Sequence, residues 1–209
     1  VNMSISVLVS NRVSRMKRGT PFSIEKFYTL GTTTSVQKAM SRLAIEGIIV
    51  RVAKGIYSRP KPLPRFPSIK ITAKAEEVAK TWARTHNYKL VPQGLESAYR
   101  LGMQTQAPIK SVYWTTGPSR EFRVGNEVVK VKHTTSTKLR WGNKPEGIFL
   151  RGLLALSPEH TSISTLKIAI KRLNLHEEES IDVVHKLSRS PLLKEWQHKL
   201  NQLENSISL

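Results

Sequence analysis

Over the first sixty positions, apolar residues recur three times at helical spacing and then give way to two short β-rich runs. Ile5, Leu8, Val9, Val13 and Met16 form one stripe over residues 4–16, and Lys17-Arg18-Gly19 supplies the basic end and glycine stop that a helix C-terminus prefers. Pro21 and Ser23 open a short helix through Phe27, Tyr28 and Leu30, closed by Gly31. Thr33 or Thr34 caps a third helix over residues 35–46, ended by Gly47. Residues 48–52 and 56–58, joined by Ala53-Lys54-Gly55, read as a β-hairpin.

The pattern then breaks. Pro60, Pro62, Pro64 and Pro67 preclude a helix or a central strand, so residues 59–70 read as a stiff extended linker. Its Arg59, Lys61 and Arg65 can track a phosphate backbone. Beyond it the periodicity is mixed. A helix over 73–86 places Ala75, Val78, Ala79 and Trp82 on one face, followed by a strand at 88–91 and a helix at 95–103. Next come a strand at 109–116 and a hairpin of 120–124 with 127–134 around Gly125-Asn126. Helices are expected at 145–156, 163–173, 177–187 and 192–203. The predicted fold class is α+β. Residues 3–58 form a winged helix-turn-helix, 59–70 a Pro-rich basic linker, and 71–209 a mixed α/β domain ending in a helical segment.

Charge adds a partner to this picture. The chain carries 34 Lys and Arg against 15 Asp and Glu, a formal net charge of +19. Residues 1–70 hold 13 basic and 2 acidic side chains, whereas residues 151–209 hold 8 and 7. The front of the molecule therefore faces a polyanion, with nucleic acid the first candidate and an anionic membrane surface the second. The absence of cysteine excludes disulfides, thiolate metal sites and thiol catalysis. No run of 18 apolar residues and no signal-peptide core is present, so a cytoplasmic protein without a membrane partner is expected. Val1-Asn2 read as residues added ahead of a native start at Met3.

In a winged helix-turn-helix the third helix enters the major groove and the hairpin wing lies on the flanking backbone. Val36, Ala39, Met40 and Leu43 face inward, which leaves Thr34, Ser35, Gln37, Lys38, Ser41 and Arg42 on the opposite arc. Gln can bond adenine in a bidentate manner, Arg and Lys can bond guanine, and hydroxyls reach phosphates. Gln37 and Lys38 sit nearest the leading end and are the base-reading candidates. Arg51 and Lys54 are the wing's phosphate contacts, with Gly55 letting the turn approach the backbone, and Lys17 and Arg18 extend the set. Ile49 or Val50, with Val52, Ile56 and Tyr57, should pack the wing onto the helices.

A second basic surface is expected from Lys130, Lys132, His133, Lys138 and Arg140, ending at Trp141, with Arg120 and Arg123 alongside. Catalytic constellations are weak. Glu121 and Glu127 with Lys130 and Lys132 faintly suggest a metal-dependent nuclease, but Asp182 is the only aspartate. His86, His133, His160, His176, His185 and His198 show no paired ligand spacing on one helix. Ser157 and Ser190 read as helix-boundary caps, and no Gly-rich phosphate loop is present. No catalytic residue, metal or cofactor is expected, and the protein is read as a non-enzyme. A stand-alone transcription factor with a sensor domain is the main alternative.

Residues 35–43, SVQKAMSRL, followed by residues 46–57, EGIIVRVAKGIY, resemble the N-terminal winged helix of the AbiEi antitoxins of type IV toxin–antitoxin, abortive-infection systems. The basic stretch after the wing and the mixed α/β remainder also resemble that family in order and size. The resemblance implies binding of double-stranded DNA at inverted repeats in the protein's own promoter, and thereby autorepression. It further implies that the C-terminal domain counteracts a cognate nucleotidyltransferase toxin, a functional partner for which a stable complex is not required.

Overall fold

A computed structural model describes residues 3–207; the reading of Val1-Asn2 as added residues lies outside them. The fold is α+β, and its contacts divide it into two compact units. The first contains the described chain up to Tyr88 together with Arg120–Val129. The second contains Lys89–Ser119 and the described chain from Lys130 onward.

The first unit begins with helix α1 (Ile5–Ser14), whose N-terminus is capped by the Ser4 hydroxyl, an acceptor for the Val7 N–H. Strand β1 (Pro21–Ser23) follows and leads into a 3-10 helix, Ile24–Leu30. Helix α2 (Thr33–Ile45) is capped by Thr32, one or two residues earlier than expected; its Oγ1 accepts from the Ser35 N–H at 3.3 Å. Strands β2 (Val50–Ala53) and β3 (Ile56–Ser58) form the hairpin, with Gly55 at φ 71° in its turn. The three strands lie in the order β1-β3-β2, with Phe22 opposite Tyr57 and Arg51 on the other side of the same residue. Val9, Val13, Phe27, Val36, Met40 and Ile49 are buried together beneath these elements, so the inward stripe of α2 is the one its spacing predicts. Ile49, Ile56 and Tyr57 are buried on the hairpin, whereas Val50 and Val52 are half-exposed.

Two expectations are corrected here. Pro21–Ser23 does not open the second helix but pairs as a strand, because Phe22 and its neighbours find backbone partners in β3, where Phe22 faces Tyr57. Residues 59–70 are not a plain extended linker either. They contain β4 (Lys61–Pro62), which pairs antiparallel with β5 (Lys70–Ile71), and the first unit continues well beyond them. Proline survives in β4 because a two-residue edge strand needs few ladder donors. Helix α3 (Ala75–Thr85) then packs on β1 and on β8 (Arg120–Val124). Its Trp82 lies tilted against Phe122 and Tyr88, at ring separations of 5.4 and 5.1 Å.

Strand β9 (Glu127–His133) has its residues up to Val129 in the first unit and those from Lys130 in the second. In the second unit β6 (Leu90–Pro92) pairs antiparallel with β7 (Ser111–Thr115), with Val91 opposite Trp114, and β9 flanks β7. Helix α4 (Gly94–Arg100) packs against α5 (Pro145–Leu154). Helices α6 (Ile163–Arg172), α7 (Glu177–Ser188) and α8 (Gln197–Ile207) complete a separate core around Phe149, Leu153, Leu166, Val184, Leu187 and Leu200. The last predicted helix starts instead as a 3-10 segment, Pro191–Trp196, before α8 takes over. No helix among the described residues is long and apolar enough to cross a membrane.

Candidate nucleic-acid interface

Helix α2 owes its two faces to one repeat. Val36, Ala39, Met40 and Leu43 are buried, and the remaining positions turn outward. Thr34, Gln37, Lys38, Ser41 and Arg42 are exposed, and Ser35 is half-buried, its hydroxyl accepting from Thr32 Oγ1 at 2.9 Å. Ser35 is thus engaged in capping the helix, which qualifies its place among the groove-facing residues. Among the described residues, Gln37, Lys38 and Arg42 have no side-chain hydrogen bond or ion pair. The same is true of Arg51 on β2 and Lys54 in the following turn, both exposed. A cation with no internal partner keeps its full capacity for an external phosphate or base edge.

Not every predicted cation is free in this way. Lys17 is exposed and unpartnered among the described residues, but Arg18 donates from Nη1 to the Pro60 carbonyl at 2.9 Å. Arg18 also lines a hollow with Gly47, Ile48, Pro60, Pro62 and Lys70. It therefore belongs with the β4–β5 hairpin and the C-terminal end of α2. Arg59 is a structural residue. Its Nη1 donates to the Ser14 and Met16 carbonyls, both at 2.7 Å, and so closes the end of α1. Burial, and then the nearby Arg18 charge, pull its pKa below the usual guanidinium value. Of the three linker cations expected to follow a phosphate backbone, only Lys61 and Arg65 remain uncommitted.

The second basic surface does not lie on one unit. Arg120 and Arg123 belong to the first. The Arg120 guanidinium stacks over Trp82 and Phe122, at 5.2 and 5.6 Å from the ring centroids, and Arg123 pairs with Glu121 at 2.7 Å. Lys130, Lys132, Lys138 and Arg140 belong to the second. There the Lys138 ammonium lies 5.3 Å from the Trp114 ring and Arg140 lies 4.5 Å from Trp141. Trp141 is half-buried against the helical core at φ 61°, a packing role, while Trp114 is the aromatic that accompanies Lys138. The sequence carries no signal for Trp114, because Lys138 is distant from it along the chain and meets it only in the fold.

The residues that faintly suggested a nuclease have other occupations. Glu127 Oε2 accepts from the Ala75 N–H at 2.9 Å, and Glu121 is held by Arg123. No group of three or more His, Cys, Asp or Glu that could hold a metal occurs among the described residues. One buried cation lies outside every expectation. Arg151 on α5 is fully buried with no carboxylate partner among the described residues, donating from Nε to the Pro92 carbonyl at 3.2 Å and from Nη2 to the Gly142 carbonyl at 2.8 Å. Desolvation pulls its pKa down to about 10. A single arginine inside the apolar run Ile148-Phe149-Leu150-Arg151-Gly152-Leu153 was the available signal.

Residues 8–181 match the model of a family whose description reads "Family of unknown function (DUF6088)". No curated protein matches the sequence. Among solved structures, the Rv2827c protein of Mycobacterium tuberculosis is similar at 16% identity with a TM-score of 0.44, over 99% of this chain and 78% of that one.

Proposed function

Because the chain belongs to DUF6088, a family of unknown function, its role is read from its own residues, and we propose that it is a double-stranded-DNA-binding regulator. In this reading the first sixty residues are a winged helix-turn-helix, with α2 in the major groove and the β2–β3 turn on the adjoining backbone. The observation that carries it is the outward arc of α2, where Gln37, Lys38, Ser41 and Arg42 stand exposed above a buried apolar stripe. The strong positive charge of the first seventy residues is a second support, since phosphate neutralisation supplies most of the affinity in such complexes.

The biological setting proposed is that of an antitoxin, supported by the resemblance of residues 35–57 to the AbiEi winged helix. The protein would repress its own operon and counteract a nucleotidyltransferase toxin encoded beside it. A band shift with the upstream region tests the DNA-binding part: wild-type protein retards the fragment, and Lys38→Ala with Arg42→Ala needs markedly more protein to do so. Unchanged affinity in that double variant would reject α2 as the reading helix. The antitoxin part is tested by co-expression, in which the protein restores growth of cells producing the neighbouring nucleotidyltransferase, and failure to do so removes that assignment.

A further inference from the structure

The β4–β5 hairpin carries a combination of residues that the core does not use. Its base is tied to the first unit by the Gly19 N–H bond to the Arg59 carbonyl at 2.7 Å, by Arg18 to Pro60, and by Ser58 Oγ to the Thr72 carbonyl. Its tip is closed by its own backbone: the Leu63 N–H donates to the Ile69 carbonyl at 3.0 Å, and the Ile69 N–H to the Phe66 carbonyl at 2.9 Å. The tip sequence is Pro64-Arg65-Phe66-Pro67-Ser68-Ile69, and its apolar side chains point to solvent, with Phe66 61% and Ile69 53% exposed. Lys61, Arg65 and Lys70 are exposed on the same arm, and no acidic residue occurs anywhere between Glu46 and Glu76.

An exposed aromatic held between prolines on a short basic ribbon is poorly suited to solvent. It suits a narrow, negatively charged groove in which an apolar wedge can enter between base steps while cations meet the phosphates on either side. We propose that the β4–β5 hairpin is a second DNA-contacting element, an arm that places Arg65 in the minor groove and inserts Phe66 at a base step. This rests on the DNA-binding reading above and adds a deformation of the duplex that α2 alone does not require. Charge selects DNA over a second copy of this chain as the occupant, because two such acid-free, basic arms would repel each other.

The test uses the full chain and the duplex it selects from a random-sequence pool, with 2-aminopurine substituted at successive positions. Wild-type protein raises the emission at one step as the base unstacks. Phe66→Ala loses that signal and weakens binding about tenfold, while Lys38→Ala with Arg42→Ala weakens binding without abolishing the unstacking in the residual complex. If the duplex is bound through α2 but Phe66→Ala leaves emission and affinity unchanged, the arm proposal falls and the DNA-binding reading stands. If no duplex is selected, both fall. A Phe66→Ala variant that dissociates a dimer in sedimentation and leaves unstacking intact would likewise overturn the arm, assigning Phe66 to self-association.

Discussion

Glu127 caps helix α3 from 52 residues away: its carboxylate accepts from the Ala75 N–H at 2.9 Å. The residue at the N-cap position itself, Lys74, makes no side-chain capping bond, so the first turn of α3 takes its acceptor from strand β9. A carboxylate there also complements the positive end of the helix. Glu127→Ala is expected to destabilise the protein by about 1–2 kcal/mol, and Glu127→Gln, which keeps an acceptor, by about half as much. Urea denaturation of both variants checks this. Equal stability of Glu127→Ala and wild type would mean that water replaces the cap at no cost.

The other end of a helix supplies the second prediction. Arg59 holds the Ser14 and Met16 carbonyls at the C-terminus of α1, at a site where burial and Arg18 already disfavour its charge. Removing it leaves both carbonyls without that donor. Arg59→Met, which keeps the aliphatic stem, should lower stability by roughly 1–3 kcal/mol. Amide exchange should speed up in the last turn of α1 before it does so in α2. Uniform acceleration across both helices would show that Arg59 acts on the unit as a whole.

How much of this was legible in the sequence differs between elements. The buried stripe of α2 is local information, since Val36, Ala39, Met40 and Leu43 repeat within one helix, and it could be read directly. Strand β1 could not, because three residues make no periodicity and Phe22 becomes a strand residue only by facing Tyr57. The prolines of 59–70 correctly excluded a helix, but they do not reveal that Lys61 faces Ile71. The roles of Arg59 and Glu127 depend on partners more than forty residues distant, so the sequence alone offers them only as surface residues. For the candidate interface the same division holds. The exposed arc of α2 follows from its pattern, whereas the uncommitted state of Lys38 and Arg42, against the committed state of Arg18, is a property of the fold.

Arg151 gives a prediction with a pH signature. Burial lowers its pKa from the usual guanidinium value to about 10, so above that pH the unfolded chain binds more protons than the folded one. Stability contributed by this group therefore rises as pH climbs past about 10, and at neutral pH the native state bears the full desolvation cost. Arg151→Met removes this dependence but orphans the Pro92 and Gly142 carbonyls. The gap between wild type and variant should widen in favour of wild type between about pH 9 and about pH 11, as measured by thermal unfolding. A gap that narrows over that range would contradict the sign derived from burial.

Salt dependence separates the two classes of contact assigned to the front of the molecule. Each phosphate contact contributes about one unit to the slope of log affinity against log salt, through release of condensed counterions. Arg51→Ala and Lys54→Ala, which alter exposed cations of the hairpin, are each expected to reduce that slope by about one unit and to weaken all duplexes alike. Gln37→Ala removes no charge. It should leave the slope unchanged, cost about 1–3 kcal/mol on the preferred duplex, and relax preference at a single base pair. Fluorescence anisotropy over a salt series, on the preferred duplex and on one-base variants of it, resolves these outcomes. If Gln37→Ala weakens every duplex equally, α2 positions the protein without reading sequence. If Arg51→Ala and Lys54→Ala leave the slope intact, the β2–β3 turn does not touch the backbone and the wing assignment is wrong.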